Sequence, residues 1–185
     1  MAHTIFESIN MGSTHFAERI FDCVADVDID NGTFGYMDGL VKGETDIYKF
    51  VPGFKAGEKV VVADQPAWDA DDSRRENQRR DRFFIPAGMH FRVRVVKVND
   101  EFGISISGFT DKTVEGVSDY TANEVSVTID SATGKLVAAT GAPAEDAVFA
   151  GRIMRKRIMG ATLVTPLRTY GDEIVMYEAK IKVLA

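Results

Sequence analysis

The chain has 185 residues, 45% apolar and 27% charged, with a formal net charge of −6 and a single cysteine. That composition belongs to a folded globular protein with a real core, and it excludes disorder, a fibrous repeat and an intrachain disulfide. The acidic balance argues against a protein whose main task is to coat nucleic acid.

The N-terminal residues MAHTIFESIN contain no basic start followed by an apolar stretch, so they are not read as a secretory signal. No apolar run approaches the roughly 20 residues of a membrane span. The expectation is a protein made in a cytoplasm that stays there until it joins something larger, with no membrane partner. Residues 1–15 read as an extended arm. Ile5, Phe6 and Ile9 give it an apolar side, and the polar, glycine-bearing residues 10–15 separate it from the first strand. Such an arm either folds back on its own domain or is anchored on a neighbouring chain, and the sequence leaves both open.

Residues 16–185 read as one β domain. Between 21 and 30, Cys23, Ala25, Val27 and Ile29 fall on one face of a period-two pattern, with Asp22, Asp26, Asp28 and Asp30 opposite. Cys23 is read as a small buried thiol, not a nucleophile. Asn31-Gly32 predicts a tight hairpin turn that returns residues 33–37 alongside, and the strands at 47–51 and 58–63 complete a meander.

Residues 64–82 are the least strand-like, and a sub-lobe boundary is placed there. Pro66 and Trp68 precede Asp69, Asp71 and Asp72, then Arg74, Arg75, Arg79, Arg80 and Arg82, with Glu76 and Asp81 among them. The charges nearly cancel and no aromatic side chains interleave with the arginines, so this reads as a solvated loop or short polar helix laced with local ion pairs, a surface contact feature, with nucleic acid not expected as a partner.

Residues 89–98 then predict a strand with Met89, Phe91, Val93 and Val95 on one face, and His90, Arg92, Arg94 and Val96 on the other. It forms a hairpin with 102–107 through Asn99-Asp100. Residues 124–130 and 135–139 form a second hairpin around the turn at 131–134. Residues 148–164 carry Arg152, Arg155, Lys156 and Arg157 without balancing acids, with Gly160 as a bulge or bend, and 174–184 form the closing strand. Arg155 and Arg157 share a strand face, a small positive patch suited to an acidic partner surface; the plain alternative is a solvated strand face. About ten strands and almost no helix predict an all-β antiparallel barrel or sandwich built from hairpins.

Reaction chemistry is not legible. The aspartates at 26, 28 and 30 have the spacing of a calcium loop, but Gly32 comes one place late and Met37 stands where the bidentate glutamate belongs. Thr133-Gly134-Lys135 lacks the earlier glycine of a phosphate loop, and the three histidines, His3, His15 and His90, are too scattered for zinc. Neither a metal nor a cofactor is expected, and no catalytic residue is assigned.

Five stretches carry a family resemblance: the arm from Thr4 to Ile9, VDIDNGTFGYMDG at 27–39, EKVVVADQPAW at 58–68, FFIPAGMHFRVRVVKVNDEFGIS at 83–105 and MYEAKIKVL at 176–184. Together they resemble the auxiliary head proteins, capsid decoration or minor structural proteins, of tailed bacteriophages of Gram-positive hosts. The resemblance implies a non-enzymatic virion protein on the capsid surface that binds the assembled lattice of major capsid protein and cements or decorates it. Residues 69–82 and the basic stretch near Arg155 have no counterpart in it. Separately, the many strands with exposed edges lead to an expectation of self-association or partner pairing. Ile5, Phe6, Ile9, Trp68, Arg155 and Arg157 are the expected partner-binding residues. The alternatives are a tail or connector subunit that forms rings, and a small-ligand-binding β-barrel.

Overall fold

The structure, a computed structural model, describes residues 3–15, 20–66, 80–110, 114, 124–143, 147, 149–159 and 174–184. Among the described residues eleven strands run in chain order: β1 (Phe6–Asn10), β2 (Ile20–Ala25), β3 (Phe34–Leu40), β4 (Ile47–Pro52), β5 (Val61–Ala63), β6 (His90–Val95), β7 (Glu101–Ser105), β8 (Val125–Ile129), β9 (Leu136–Thr140), β10 (Phe149–Met159) and β11 (Ile174–Leu184). A single helical turn, Gly12–His15, follows β1, and a short 3-10 turn, Ile106–Gly108, follows β7. The class is all-β, as the alternation of apolar and polar residues predicts.

Two strand systems share the chain. One is a closed barrel in the order β2-β4-β3-β5-β6, with β6 paired back to β2; the other is a six-stranded sheet in the order β1-β7-β11-β10-β8-β9. The barrel is filled by Cys23, Ala25, Phe50, Val61, Ala63, Phe91 and Val93, all nearly inaccessible, with Ile29 and Ile85 among them. The second core lies between the inner face of the sheet and the outside of the barrel. There Phe6, Phe102, Ile104, Val127, Leu136, Ile153 and Tyr177 of the sheet meet Phe34, Val60, Val62 and Val96 from the barrel side.

This double duty explains the apolar run Val60-Val61-Val62-Ala63. Val61 and Ala63 point into the barrel while Val60 and Val62 point into the second core, so β5 is buried on both faces and loses the alternation of a half-exposed strand. Phe34 stands at the centre of the junction, with its ring 5.5 Å from Phe102 and 5.2 Å from Phe149.

Several expected pairings are corrected. Residues 33–37 do not return alongside β2: β2 pairs in parallel with β4 and antiparallel with β6, and β3 lies between β4 and β5. Gly32 does adopt positive φ (77°), but the Asn31 side chain, instead of closing a hairpin, donates to the Gln65 carbonyl (2.7 Å) and accepts from the Gln65 N–H (2.9 Å). Strand β2 ends at Ala25, so Val27, expected inside, is 53% exposed.

Nor do β6 and β7 form a hairpin. Asn99 takes positive φ as a turn residue should, and the Asp100 carboxylate accepts from the N–H groups of Lys97 (2.9 Å) and Gly12 (2.8 Å). The chain changes sheets at that turn, because the face of β7 that carries Phe102 and Ile104 belongs to the second core. Strands β5 and β6, on either side of residues 64–82, are neighbours in the same barrel, so the passage from barrel to sheet falls at 97–100. The other expected hairpin is present: β8 and β9 pair from Val125↔Thr140 to Ile129↔Leu136, and Asp130 secures the turn by accepting from Thr133 Oγ1 (2.6 Å) and Ala132 N–H (3.1 Å). Gly160 lies outside the described residues.

Cys23 is fully buried, and burial first, then the neighbouring Asp22 carboxylate, pushes its thiol up to about 12. Thiolate is the reactive form. Native protein should therefore fail to react with a disulfide reagent such as DTNB at pH 8, and should react stoichiometrically once unfolded in urea; fast labelling of the native protein would contradict this burial.

Candidate functional site

The N-terminal segment is the first surprise of the site. Strand β1 pairs antiparallel with β7, Phe6 opposite Ile104 and Glu7 opposite Gly103, with an irregularity before Asn10↔Glu101. Ile5 and Phe6 are buried, and the Phe6 ring lies 5.5 Å from Phe102. Of the two positions open to an arm, the structure has the fold back on its own domain.

The segment is anchored along its length. His3 Nδ1 lies 2.7 Å from Asp30 Oδ1, and Thr4 Oγ1 donates to the same carboxylate (3.3 Å). Ile5 N–H donates to Ser105 Oγ (2.9 Å), and Ser8 Oγ donates to Asp64 (2.8 Å). Arg94 donates to Asp64 and to the Ser13 carbonyl (2.9 Å), an ion pair with both side chains largely shielded from water. Asp30, Asp64 and Arg94 flank or belong to barrel strands and Ser105 belongs to the sheet, so residues 3–13 strap the two systems together. Ile5 and Phe6, expected to dock on a partner, are engaged in this chain's own packing. Only the backbone of Ile9 is described, within β1, and Trp68 lies outside the described residues.

Arg155 and Arg157 are placed differently. Pairing puts Glu7, Gly103, Glu178 and Arg155 in one row across β1, β7, β11 and β10 on the outer face of the sheet. The register shift between Ile153 and Arg155 leaves Met154 as an extra residue, a bulge that re-aims the strand, and Met154 is 40% exposed. Arg155 grips Glu178 with two hydrogen bonds, 2.5 Å from Nε and 2.9 Å from a terminal nitrogen. Arg157 donates to Glu7 across the row, and its Nε stands 3.0 Å from Glu178 in an ion pair not aligned as a hydrogen bond. Gly103 has no side chain to block that reach.

Arg80 adds a contact to Glu7 (3.3 Å) and donates to the Phe6 carbonyl (3.0 Å), while Lys180 meets Glu101 at 2.9 Å. A groove of about 300 Å³ is lined by Glu7, Glu101, Met154, Arg155, Arg157 and Glu178. The carboxylates form its floor and the guanidiniums its rim: the Glu7 side chain is 12% exposed and that of Arg155 66%. The outermost groups of the groove are thus cationic, and the carboxylates that pair with them lie deeper.

The sequence missed Glu7 and Arg80 as members of this network. No local signal could have shown them, because the Glu7–Arg157 contact spans 150 positions and depends on β1 joining the sheet.

The Arg155 hydrogen bonds, more than any other contact, hold the Glu178 carboxyl below its ordinary value of 4.5. A folded-state pKa below the unfolded one stabilises the fold fully above about pH 4.5 and loses that contribution as pH falls through the depressed value. Arg155→Ala should therefore show a smaller loss of stability than the wild type between pH 6 and pH 3, read from urea midpoints at each pH. Equal losses would remove this pair from the acid limb.

Among the described residues no group of three or more His, Cys, Asp or Glu side chains is arranged to hold a metal, and no helix is long and apolar enough to cross a membrane. Fold and site together define an all-β protein, a closed five-stranded barrel strapped to a six-stranded sheet, with a charged outer face. No family model matches the chain, and neither a curated protein nor a solved structure matches it.

Proposed function

We propose that this protein is a structural component of a viral head: it binds the assembled lattice of major capsid protein and decorates or cements it, without catalysis. The observation that carries the reading is the outer face of the sheet around Arg155. Arg155, Arg157 and the exposed Met154 stand on β10, which is paired to β11 and through it to β7, and are held by the Glu7–Arg157–Glu178–Arg155 chain of ion pairs. Fixed geometry lowers the ordering cost of binding, and a face that meets more than one capsid subunit favours the assembled shell by mass action. The resemblance of residues 27–39, 58–68, 83–105 and 176–184 to phage auxiliary head proteins supports the same reading. The side chains of Phe50, Phe91 and Cys23 occupy the barrel interior, which favours protein docking over a ligand held inside the barrel.

The test mixes the purified protein with undecorated capsids and sediments the particles. Saturable co-sedimentation at a fixed ratio to capsid subunits is expected, and Met154→Ser with Arg155→Ala should weaken occupancy about tenfold, as loss of a central anchor does, while leaving the native fold intact. Absence of binding by folded wild-type protein would overturn the proposal. Closed rings of the protein alone, with no capsid affinity, would point to a tail or connector subunit.

A further inference from the structure

A second surface lies at the end of the barrel, away from the charged groove. After β2, residues 25–29 run antiparallel to residues 85–88. Ile29 and Ile85 exchange both backbone hydrogen bonds (2.9 and 2.8 Å), Gly88 N–H donates to the Ala25 carbonyl (2.9 Å), and Ala87 N–H donates to Asp28 Oδ1 (2.8 Å). Met89 N–H closes the turn onto the Pro86 carbonyl (3.1 Å). These bonds hold two apolar side chains in the open, Val27 at 53% exposure and Met89 at 37%, with Pro86 and Ala87 also exposed; Phe84, on the opposite parity, stacks on His3 instead. By parity Val27 and Met89 continue the inward faces of Ala25 and Phe91. Ile29 and Ile85 already fill that end of the barrel, which leaves Val27 and Met89 outside it.

An apolar patch held rigid by backbone bonds, with a polar border, is the anatomy of a protein interface centre. Its border is acidic. Asp26 and Asp28 flank Val27, both exposed; Lys49 meets Asp26 at 2.6 Å, but an ion pair on so exposed a carboxylate is weak and leaves that carboxylate open to a second cation. The same border argues against a second copy as the occupant, since a two-fold contact over Val27 would set Asp26 and Asp28 against their own counterparts in a chain of net charge −6. We propose that this barrel end docks a partner protein through an apolar segment flanked by lysine or arginine. This inference is independent of the capsid reading, and neither result decides the other.

The test follows the methyl NMR signals of Val27 and Met89 in the full chain. The probe is a synthetic dodecamer alternating leucine and lysine, and the control is its leucine–glutamate counterpart. Saturable shifts centred on Val27 and Met89 with the lysine peptide, absent with the glutamate peptide and weakened by raised salt, are expected. Val27→Thr with Met89→Gln, which change only exposed side chains, should weaken binding about tenfold with the thermal midpoint nearly unchanged. The proposal is overturned by an absence of saturable shifts, by shifts centred elsewhere, by an equal response to both peptides, by no response to salt, or by undiminished binding to the double variant. Concentration-dependent self-association through the same methyls, without peptide, would assign the surface to a second copy instead.

Discussion

Phe6→Ala is expected to lower the unfolding free energy of the isolated protein by about 3–5 kcal/mol, the range for emptying an aromatic core site. Phe6 is buried in the second core against Phe102, and Gly32 lies close beneath it, so a truncated side chain leaves a cavity between β1, β7 and the β2–β3 connection. The loss extends beyond the ring. Strand β1 also presents Glu7 to Arg157 and Arg80, and loosening the strand weakens the charged row. Urea denaturation of the capsid-free protein measures the effect. A free N-terminal arm that waits for a neighbour would give the opposite result, unchanged stability in isolation, and that outcome would displace the strap described above.

Gly134→Ala should be as damaging for a different reason. Gly134 has φ of +68°, and a Cβ there would drive into the Phe34 carbonyl and crowd Gly53 N and Thr33 Cγ2. The closeness is built from hydrogen bonds: Phe34 N–H donates to the Gly134 carbonyl (2.8 Å), and Gly53 N–H donates to the Phe34 carbonyl (3.0 Å). The β8–β9 turn thus touches the barrel backbone directly, and an added methyl must part the two. A loss of about 3 kcal/mol or more is expected, combining left-handed strain with a broken junction. Gly57→Ala provides the control, because Gly57 also has positive φ (83°) but nothing lies within 4 Å of its added Cβ. It should cost about 1–2 kcal/mol, the strain of the left-handed conformation alone. Equal effects at the two positions, compared by thermal unfolding, would mean that the junction tolerates separation.

Residue patterns made the strand content legible because a strand's period of two is a local property. The alternation through Cys23 and Ala25, through Phe91, Val93 and Val95, and through Val125, Val127 and Ile129 places those side chains inward, where they are found. The β8–β9 hairpin was legible for the same reason, since the turn at 131–134 and its Asp130 cap lie within a few residues of the strands they join. Pairing between distant strands leaves no such local trace. Asn31-Gly32 is a fair hairpin signal, yet β2 takes β4 and β6 as neighbours because that closes a barrel around Phe50 and Phe91. Asn99-Asp100 is a fair turn, yet it carries the chain from one sheet to another.

The candidate site divides along the same line. That Arg155 and Arg157 share a face follows from strand parity, and the sequence determines it by itself, as it determines the all-β class, the lone buried thiol and the absence of an intrachain disulfide. Only the tertiary structure decides that Glu7 lies under Arg157, that Ile5 and Phe6 serve the chain's own packing, and that Val27 emerges at the barrel end between two carboxylates. The physical reason is that alternation fixes which way a side chain points from its own strand, whereas its neighbours are set by loop closures over many tens of residues, and these are selected by the burial of two cores at once.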